Sequence, residues 1–514
     1  MNGAESLMRA LAGAGVEYCF TNPGTTEIHL VAALEQVPGI RSVLGLFEGV
    51  CSGAADGYAR MAGKPAATLL HLGPGLANAL SNFHNARRAG SPVVNLVGDH
   101  PAFHRLNDPP LHSDIATLAA PVSVWVRDAS GSSGLGADGY AAVWAASRSP
   151  GGIATLIVPA DRAWKESAMP GSPPELPAPS PVSPETVGEV ARMLTDGKPT
   201  ALLLSGRALH GPGLELAARI AARTGATLIS HTFEARFERG AGLPLVKRLP
   251  YFPEAARKRL EGYAQVIPVG TTVPTSFFAY PDSPVQLLPD GCAVKVLAGP
   301  DEDIVGALDS LADSLDIGGI DYHAVPLNRP GTPAGALTAE TAGAALGALL
   351  PENAVVSDES GTSGAFSYRF TAGAPPHDWL CLTGGSIGQG IPVATGAALA
   401  CPGRKVVCLQ GDGGAMYTVQ GLWTQARENL DVTTVIFSNR SYGILRVELE
   451  RLGFDSPGAG ITDTMDLSRP DIDWVKLSSA LGVPAVRADS AEGFYDALAA
   501  AFAEPGPRLI EAVI

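Results

Sequence analysis

An acidic, glycine-rich turn and a later amide are the residues whose types and spacing point most directly to chemistry. Gly411-Asp412-Gly413-Gly414 follows the apolar run Val406-Val407-Cys408-Leu409, and Asn439 closes a second apolar run, Val432 to Phe437. The pattern predicts a strand ending in a tight turn, a helix over Met416–Glu428, and a second strand ending in an amide. In an open parallel sheet, such strand ends face one ligand-binding crevice. Asp412 and Asn439 then offer two hard oxygens side by side, and the glycines let backbone N–H groups approach a phosphate. Hard oxygens beside phosphate are the usual setting for Mg²⁺, which takes few ligands from protein. A lone Gly-Asp-Gly reads as a helix-capping turn; the two flanking strands and the later Asn favour a site.

Those residues need a scaffold of parallel strands, and the rest of the chain supplies the pattern for one. Short β-rich runs alternate with amphipathic stretches. Tyr18–Thr21, Ala67–His71, Val93–Val97 and Ala154–Val158 read as strands between helices over Glu5–Ala14, Glu48–Ala62 and Leu76–Arg88. The same alternation continues with helices Glu185–Thr195 and Leu214–Thr224, strands Thr200–Leu204 and Val266–Val269, helix Thr338–Leu350 and strand Ala354–Ser357. Near-continuous apolar strands separated by helices imply parallel sheets covered on both faces. Proline-rich stretches at Met169–Pro184 and Val325–Ala334 read as surface linkers. The expected fold is therefore α/β, with three consecutive doubly wound parallel-sheet domains at 1–168, 185–325 and 335–514.

The chain has 514 residues, too many for one ordinary core. A net charge of −15 and the lack of a basic stripe argue against a nucleic-acid partner. No uncharged apolar run is long enough for a bilayer, and the first residues lack a signal-peptide pattern. The cysteines at 19, 51, 292, 381, 401 and 408 form no C-x-x-C pair. No membrane partner and a cytoplasmic location are the expectation.

The stretch from Gly411 to Asn439 resembles the sequence motif of thiamine-diphosphate enzymes. The resemblance implies that Asp412, Asn439 and the Ser441 carbonyl hold Mg²⁺, with Gly413, Gly414 and Tyr442 at the cofactor's diphosphate. Glu359-Ser360-Gly361-Thr362 resembles the family's second diphosphate loop, which places Gly361 and Thr362 there too. Upstream, Leu46-Phe47-Glu48-Gly49 precedes Ala54-Ala55-Asp56-Gly57-Tyr58-Ala59-Arg60, which resembles the family's pyrimidine-domain signature. An isolated Glu at a helix start is ordinarily a dipole contact. In this family it shares a proton with the aminopyrimidine N1′, which equips the neighbouring 4′-nitrogen to deprotonate thiazolium C2. Glu48 is thus the implied catalytic and cofactor-binding acid. In Leu382–Gly388, Ile387 is the implied prop for a bent cofactor, and the Gly385 carbonyl the acceptor for its amino group.

Within the family the resemblance divides. Asn22-Pro23-Gly24-Thr25-Thr26-Glu27 and Leu70-His71-Leu72 are similar to benzoylformate decarboxylase, which implies catalytic roles for Thr25 and His71. That enzyme's second pocket His has no counterpart; Phe277 and Phe278 stand in that region. Gly73–Asn78 and Arg427–Leu430 are closer to acetolactate synthase, while Gly98-Asp99 replaces the Gly-Gln of both relatives. The middle segment carries no flavin signature, so FAD is not expected. The reading favoured is acetolactate-synthase-like decarboxylation of a 2-oxo acid with carboligation to an aldehyde or ketone. Non-oxidative decarboxylation, and a catalytically idle cofactor-binding partner subunit, are the alternatives. The resemblance further implies a homodimer or homotetramer with active sites between subunits.

Overall fold

The computed structural model describes all residues except 133, 177, 282, 284 and 455–457; Pro177, inside the first proline-rich stretch, lies outside the described residues. Apolar runs that bury both faces form three sheets. The first is six-stranded and wholly parallel, in the order Arg41–Leu44, Tyr18–Asn22, Ala66–Leu70, Val93–Asp99, Ile153–Pro159, Ser123–Asp128. Alternate residues of Val93–Asp99 feed opposite cores. Val93 and Val97 face one apolar cluster, Val94 and Leu96 the other. This is the doubly wound arrangement that continuous apolar strands require. The second sheet, also parallel, runs Lys247–Arg248, Thr227–Ser230, Thr200–Leu204, Gln265–Val269, Ala293–Val294.

The third sheet has seven strands: Ala485–Ala488, Arg508–Val513, Val432–Ser438, Val406–Gly411, Val355–Glu359, His377–Cys381 and Phe237–Arg239. The last is antiparallel and comes from the middle of the chain, pairing Phe237 with Trp379. It covers an edge that would otherwise expose unpaired backbone groups. The helix expected over Met416–Glu428 is interrupted. A short turn of helix spans Asp412–Ala415, and a separate helix spans Gly421–Arg427. Thr418 turns its hydroxyl onto the Gly388 carbonyl at 2.8 Å, and the glycine pair before it is a weak helix former.

One apolar core is shared between the first and third sheets. It forms where the helix Glu48–Ala62 crosses the helix Gly390–Ala400 at close range. A Cβ on Gly57 would sit 2.1 Å from the Val393 carbonyl oxygen, and one on Gly396 1.9 Å from the Ala54 carbonyl oxygen. Only glycine permits that approach. Among the described residues no helix is long and apolar enough to cross a membrane.

At the C-terminal ends of the second sheet lies a buried acid. Glu234 accepts a hydrogen bond from Ser205 Oγ at 2.7 Å, and its other carboxylate oxygen has no partner among the described residues. Burial pushes its carboxyl up to about 7 from the usual 4.5. Below pH 4.5 both folded and unfolded chains hold this proton. Between 4.5 and about 7 only the unfolded chain releases it freely, so the stability the group contributes is lost as pH rises through that window. Relative to Glu234→Gln, the unaltered protein should lose about 3 kcal/mol of unfolding free energy between pH 4.5 and 7. Urea titrations of both proteins across that range measure it; a difference that does not change with pH refutes the assignment.

Candidate functional site

The acidic turn and the amide do come together. Val406–Gly411 and Val432–Ser438 are hydrogen-bonded neighbours, with Gly411 opposite Phe437. Asp412 Oδ1 accepts the Gly413 N–H at 2.8 Å, and Oδ2 accepts the Arg440 N–H at 2.6 Å. Asn439 Oδ1 accepts the Ser441 N–H at 3.0 Å. Arg440 sits at φ +55, a left-handed conformation costly for a side-chain-bearing residue and typical of functional turns. Burial raises the Asp412 carboxyl above its usual value, against the pull of those backbone N–H groups. The Ser441 hydroxyl is buried without a partner among the described residues. An anionic oxygen, an amide oxygen and an unsatisfied hydroxyl fit a hard cation or a phosphate better than an apolar ligand.

Neighbouring loops close on this turn. A Cβ on Gly443 would lie 3.2 Å from both Asn439 Nδ2 and Thr362 Oγ1, so the Gly361–Thr362 loop abuts the amide. The Tyr442 ring lies against Gly413, and a Cβ on Gly414 would collide with Glu359 Oε1 at 2.4 Å. Glu359 is buried, and its two oxygens accept the N–H groups of Gly388 and Gly390 at 2.7 and 2.6 Å. Burial raises its carboxyl too. It therefore fixes the loop that carries Gly385 and Ile387.

A cavity of about 1100 Å³ is lined by Gly361, Thr362, Gly385 and Ile387 together with the aromatic rings of Phe233, Tyr251, Phe277 and Phe278. Gly385 has φ +74, and a Cβ there would meet Phe277 Cζ at 2.5 Å. The rings of Phe277 and Phe278 lie 5.0 Å apart edge-to-face, yet 42% and 54% of their surfaces stay uncovered. Exposed aromatic surface at a cavity is a recognition feature.

Glu48, Thr25 and His71 do not line this cavity. They form a second cluster at the strand ends of the first sheet. Glu48 opens its helix, half-buried, and Asn78 Nδ2 donates to its Oε2 at 2.9 Å. Gly75 separates Glu48 from His71: a Cβ there would lie 3.3 Å from Glu48 Oε1 and 3.6 Å from His71 Cβ. His71 Nδ1 lies 2.7 Å from Oε2 of Glu27, whose side chain is fully buried. Glu27 also accepts the Gly24 N–H at 2.7 Å and the Thr26 hydroxyl at 2.5 Å. Its carboxylate occupies the space a Cβ on Gly98 would need. Thr25 is exposed beside it. Sequence reasoning missed Glu27, although it ends the quoted Asn22–Glu27 loop. The available signal was an acid in the short turn that follows Tyr18–Asn22, the strand paired with the one that delivers His71.

The two clusters are tied by a buried ion pair. Arg60 Nε donates to Asp56 Oδ1 at 2.8 Å within one helix, and both side chains are essentially inaccessible. Arg60 also donates to the Cys381 carbonyl at 2.8 Å and to Thr383 Oγ1 at 3.0 Å. Asn82 bridges the Gly49 and Gly388 carbonyls at 2.8 and 3.2 Å. Among the described residues no group of three His, Cys, Asp or Glu is placed to hold a metal; the Asp412–Asn439–Ser441 set includes only one such side chain.

Comparison with known proteins places the chain in a family. Residues 1–116 match the profile of the thiamine pyrophosphate enzyme N-terminal TPP binding domain, and residues 359–512 that of the C-terminal TPP binding domain. A Mycobacterium tuberculosis protein, provisionally named acetolactate synthase large subunit IlvX, is 53% identical over 100% of this chain and 99% of its own. A benzoylformate decarboxylase of Pseudomonas aeruginosa is 27% identical over 97% of this chain and 96% of its own. The thiamine diphosphate-dependent 4-hydroxybenzoylformate decarboxylase of Rhodococcus jostii RHA1 superposes with a TM-score of 0.86 at 24% identity, covering 100% of this chain and 99% of that one. The last likeness speaks for the fold.

Removing one member of a buried pair leaves the other charged and unpaired. Arg60→Ala should lower the unfolding free energy by about 3–5 kcal/mol in a urea titration. A loss below about 1 kcal/mol would show that the pair does not hold the two clusters together.

Proposed function

The chain belongs to the thiamine pyrophosphate enzymes, which make or break C–C bonds, and from that premise we propose that it uses Mg²⁺ and thiamine diphosphate to decarboxylate a 2-oxo acid and ligate the product to an aldehyde or ketone. The observation that carries the ligation reading is the size of the cavity. At about 1100 Å³ it is larger than an ordinary ligand pocket, and its lining combines the loops that would hold the cofactor with an aromatic wall against which both a donor and an acceptor could pack. Similarity to the relative named as an acetolactate synthase large subunit supports the same reading.

The cofactor, when bound, supplies a nucleophilic thiazolium carbon and an electron sink for loss of CO₂. Asp412, Asn439 and the Ser441 carbonyl would hold the Mg²⁺; Gly361, Thr362, Gly413, Gly414 and Tyr442 would border the diphosphate. Ile387 would pack against the cofactor, and the Gly385 carbonyl would accept a hydrogen bond from its amino group. Glu48 would keep a proton at the pyrimidine nitrogen, an acid role suited to a half-buried carboxylate held by Asn78. Thr25 and His71 would face the substrate, with Glu27 orienting the imidazole. Because the Glu48 cluster does not line this chain's own cavity, a second copy completes each site, and the working unit is a homodimer or homotetramer.

One observation favours a second reading, simple decarboxylation. The Glu27–His71 pair is built to deliver a proton, which is what ends a decarboxylation without ligation. Incubation with thiamine diphosphate, Mg²⁺ and a panel of 2-oxo acids, with and without aldehydes, separates the two by product mass. Ligated products are expected; aldehyde alone would select the second reading. Glu48→Gln should bind the cofactor yet lose at least about 100-fold in turnover. Unchanged turnover in that variant, or no consumption of any 2-oxo acid, would overturn the proposal.

Light scattering at assay concentration should report a dimer or tetramer. A fully active monomer would rule out the shared site.

A further inference from the structure

The cavity that holds the Gly385 loop also has cations in its wall: Arg239, Lys247, Arg248 and Arg369. The carboxylates lining the same cavity are already engaged. Glu238 pairs with Arg236, Glu448 accepts the Tyr280 hydroxyl, Glu359 takes the Gly388 and Gly390 N–H groups, and Asp358 takes the Ser360 N–H and the Trp379 indole. Among the described residues, none of the four cations is in an ion pair.

Two of them share one ring. The guanidinium carbons of Arg239 and Arg248 lie 3.8 and 4.1 Å from the Tyr368 ring centroid. Arg239 is only 9% exposed and donates to Thr371 Oγ1, to His377 Nε2 and to the Tyr368 carbonyl. Its hydrogen-bonding capacity is largely used. Arg248 is half-buried, and among the described residues its one polar partner is the Cys381 sulfur at 4.0 Å. Burial lowers the Arg239 guanidinium below its usual value, and the adjacent Arg248 charge lowers it further. Two like charges around a ring, one buried and the other with an open fork of donors, lack a counter-ion. An arginine fork recognises carboxylate and phosphate by two parallel hydrogen bonds.

Resting on the 2-oxo-acid reading of this cavity, we propose that Arg248 binds a second anionic group of the substrate or acceptor. The ligand is then an apolar molecule of aromatic size that ends in a carboxylate or phosphate. Its body packs against Phe233, Tyr251, Phe277 and Phe278, and its far end reaches Arg248.

Calorimetry on the full chain without cofactor tests this independently of turnover. The probes are benzoate, terephthalate and para-phosphonobenzoate, which share a ring and differ in the second anion. Terephthalate or para-phosphonobenzoate should bind at least about tenfold tighter than benzoate, consistent with one charge-assisted contact. Which of the two is preferred distinguishes carboxylate from phosphate. Arg248→Met should abolish the preference while leaving benzoate and thiamine diphosphate affinities unchanged. Arg248→Lys, which keeps the charge and loses the fork, should retain only part of it. Equal affinity for all three probes in the unaltered protein overturns the proposal without any variant. So does a preference that survives in Arg248→Met or is complete in Arg248→Lys. A loss of thiamine diphosphate affinity in Arg248→Met would assign the cation to the cofactor instead and also overturn it. Failure to turn over any 2-oxo acid would count against the reading of the reaction and leave the anion result legible.

Discussion

The buried Asp56–Arg60 pair is the interaction on which the arrangement of the site depends. Desolvating two charges costs several kcal/mol per ion, and their attraction repays this only when the remaining donors and acceptors are satisfied. Here they are. Ser91 donates to Asp56, and Arg60 reaches the Cys381 carbonyl, Thr383 and Gln389. The pair therefore does more than neutralise itself. It sets the start of the loop Leu382–Gln389 against a helix of the first sheet, and that loop carries Gly385 and Ile387. A hydrophobic pair of the same volume would pack equally well but would not specify the loop's position.

Other contacts converge on the same loop from its far side. Glu359, at the end of its strand, holds Gly388 and Gly390 through their N–H groups. Asn85 Nδ2 donates to the Ser386 carbonyl at 2.7 Å. Asn82 and Thr418 both donate to the Gly388 carbonyl. The close helix crossing at Gly57 and Gly396 lets these short side chains reach at all. A glycine-rich segment has high conformational entropy when free. The ring of fixed donors and acceptors removes it in advance, so a ligand seated there would not bear that cost.

Much of this was legible in the sequence because it follows from local pattern. The strands Val406–Gly411 and Val432–Ser438 stand where apolar runs place them, and Asp412 and Asn439 fall at their adjoining ends. What was not legible depends on contacts between distant segments. Phe237–Arg239 is too short and too mixed in composition to read as a strand, and it exists because the His377–Cys381 edge needs a partner. The Met416–Glu428 helix breaks because Thr418 bonds to a carbonyl 30 residues upstream. Glu27 looked like a loop residue; its burial follows from the absence of a side chain at Gly98, on a strand two positions away in the sheet. The Asp56–Arg60 spacing was visible as part of a signature, but its acceptors lie more than 300 residues downstream.

The division of the candidate site residues into two clusters has its own physical logic. The oxygen-rich turn around Asp412 tolerates charge because backbone N–H groups already face it. Glu48 and His71 sit in a different setting, at the open end of the first sheet, where Asn78 and Glu27 orient them without burying them completely. Each cluster contains a non-glycine residue in the left-handed region, Arg440 at φ +55 and Leu72 at φ +49. Such conformations persist only where the surroundings over-determine them. In both turns the strained residue directly follows a candidate site residue, Asn439 in one and His71 in the other. The strain thus fixes the direction of those side chains while leaving their outer faces open. An open face on a preformed cluster is what the proposed two-chain site would require, since neither half would then have to rearrange when the other arrived.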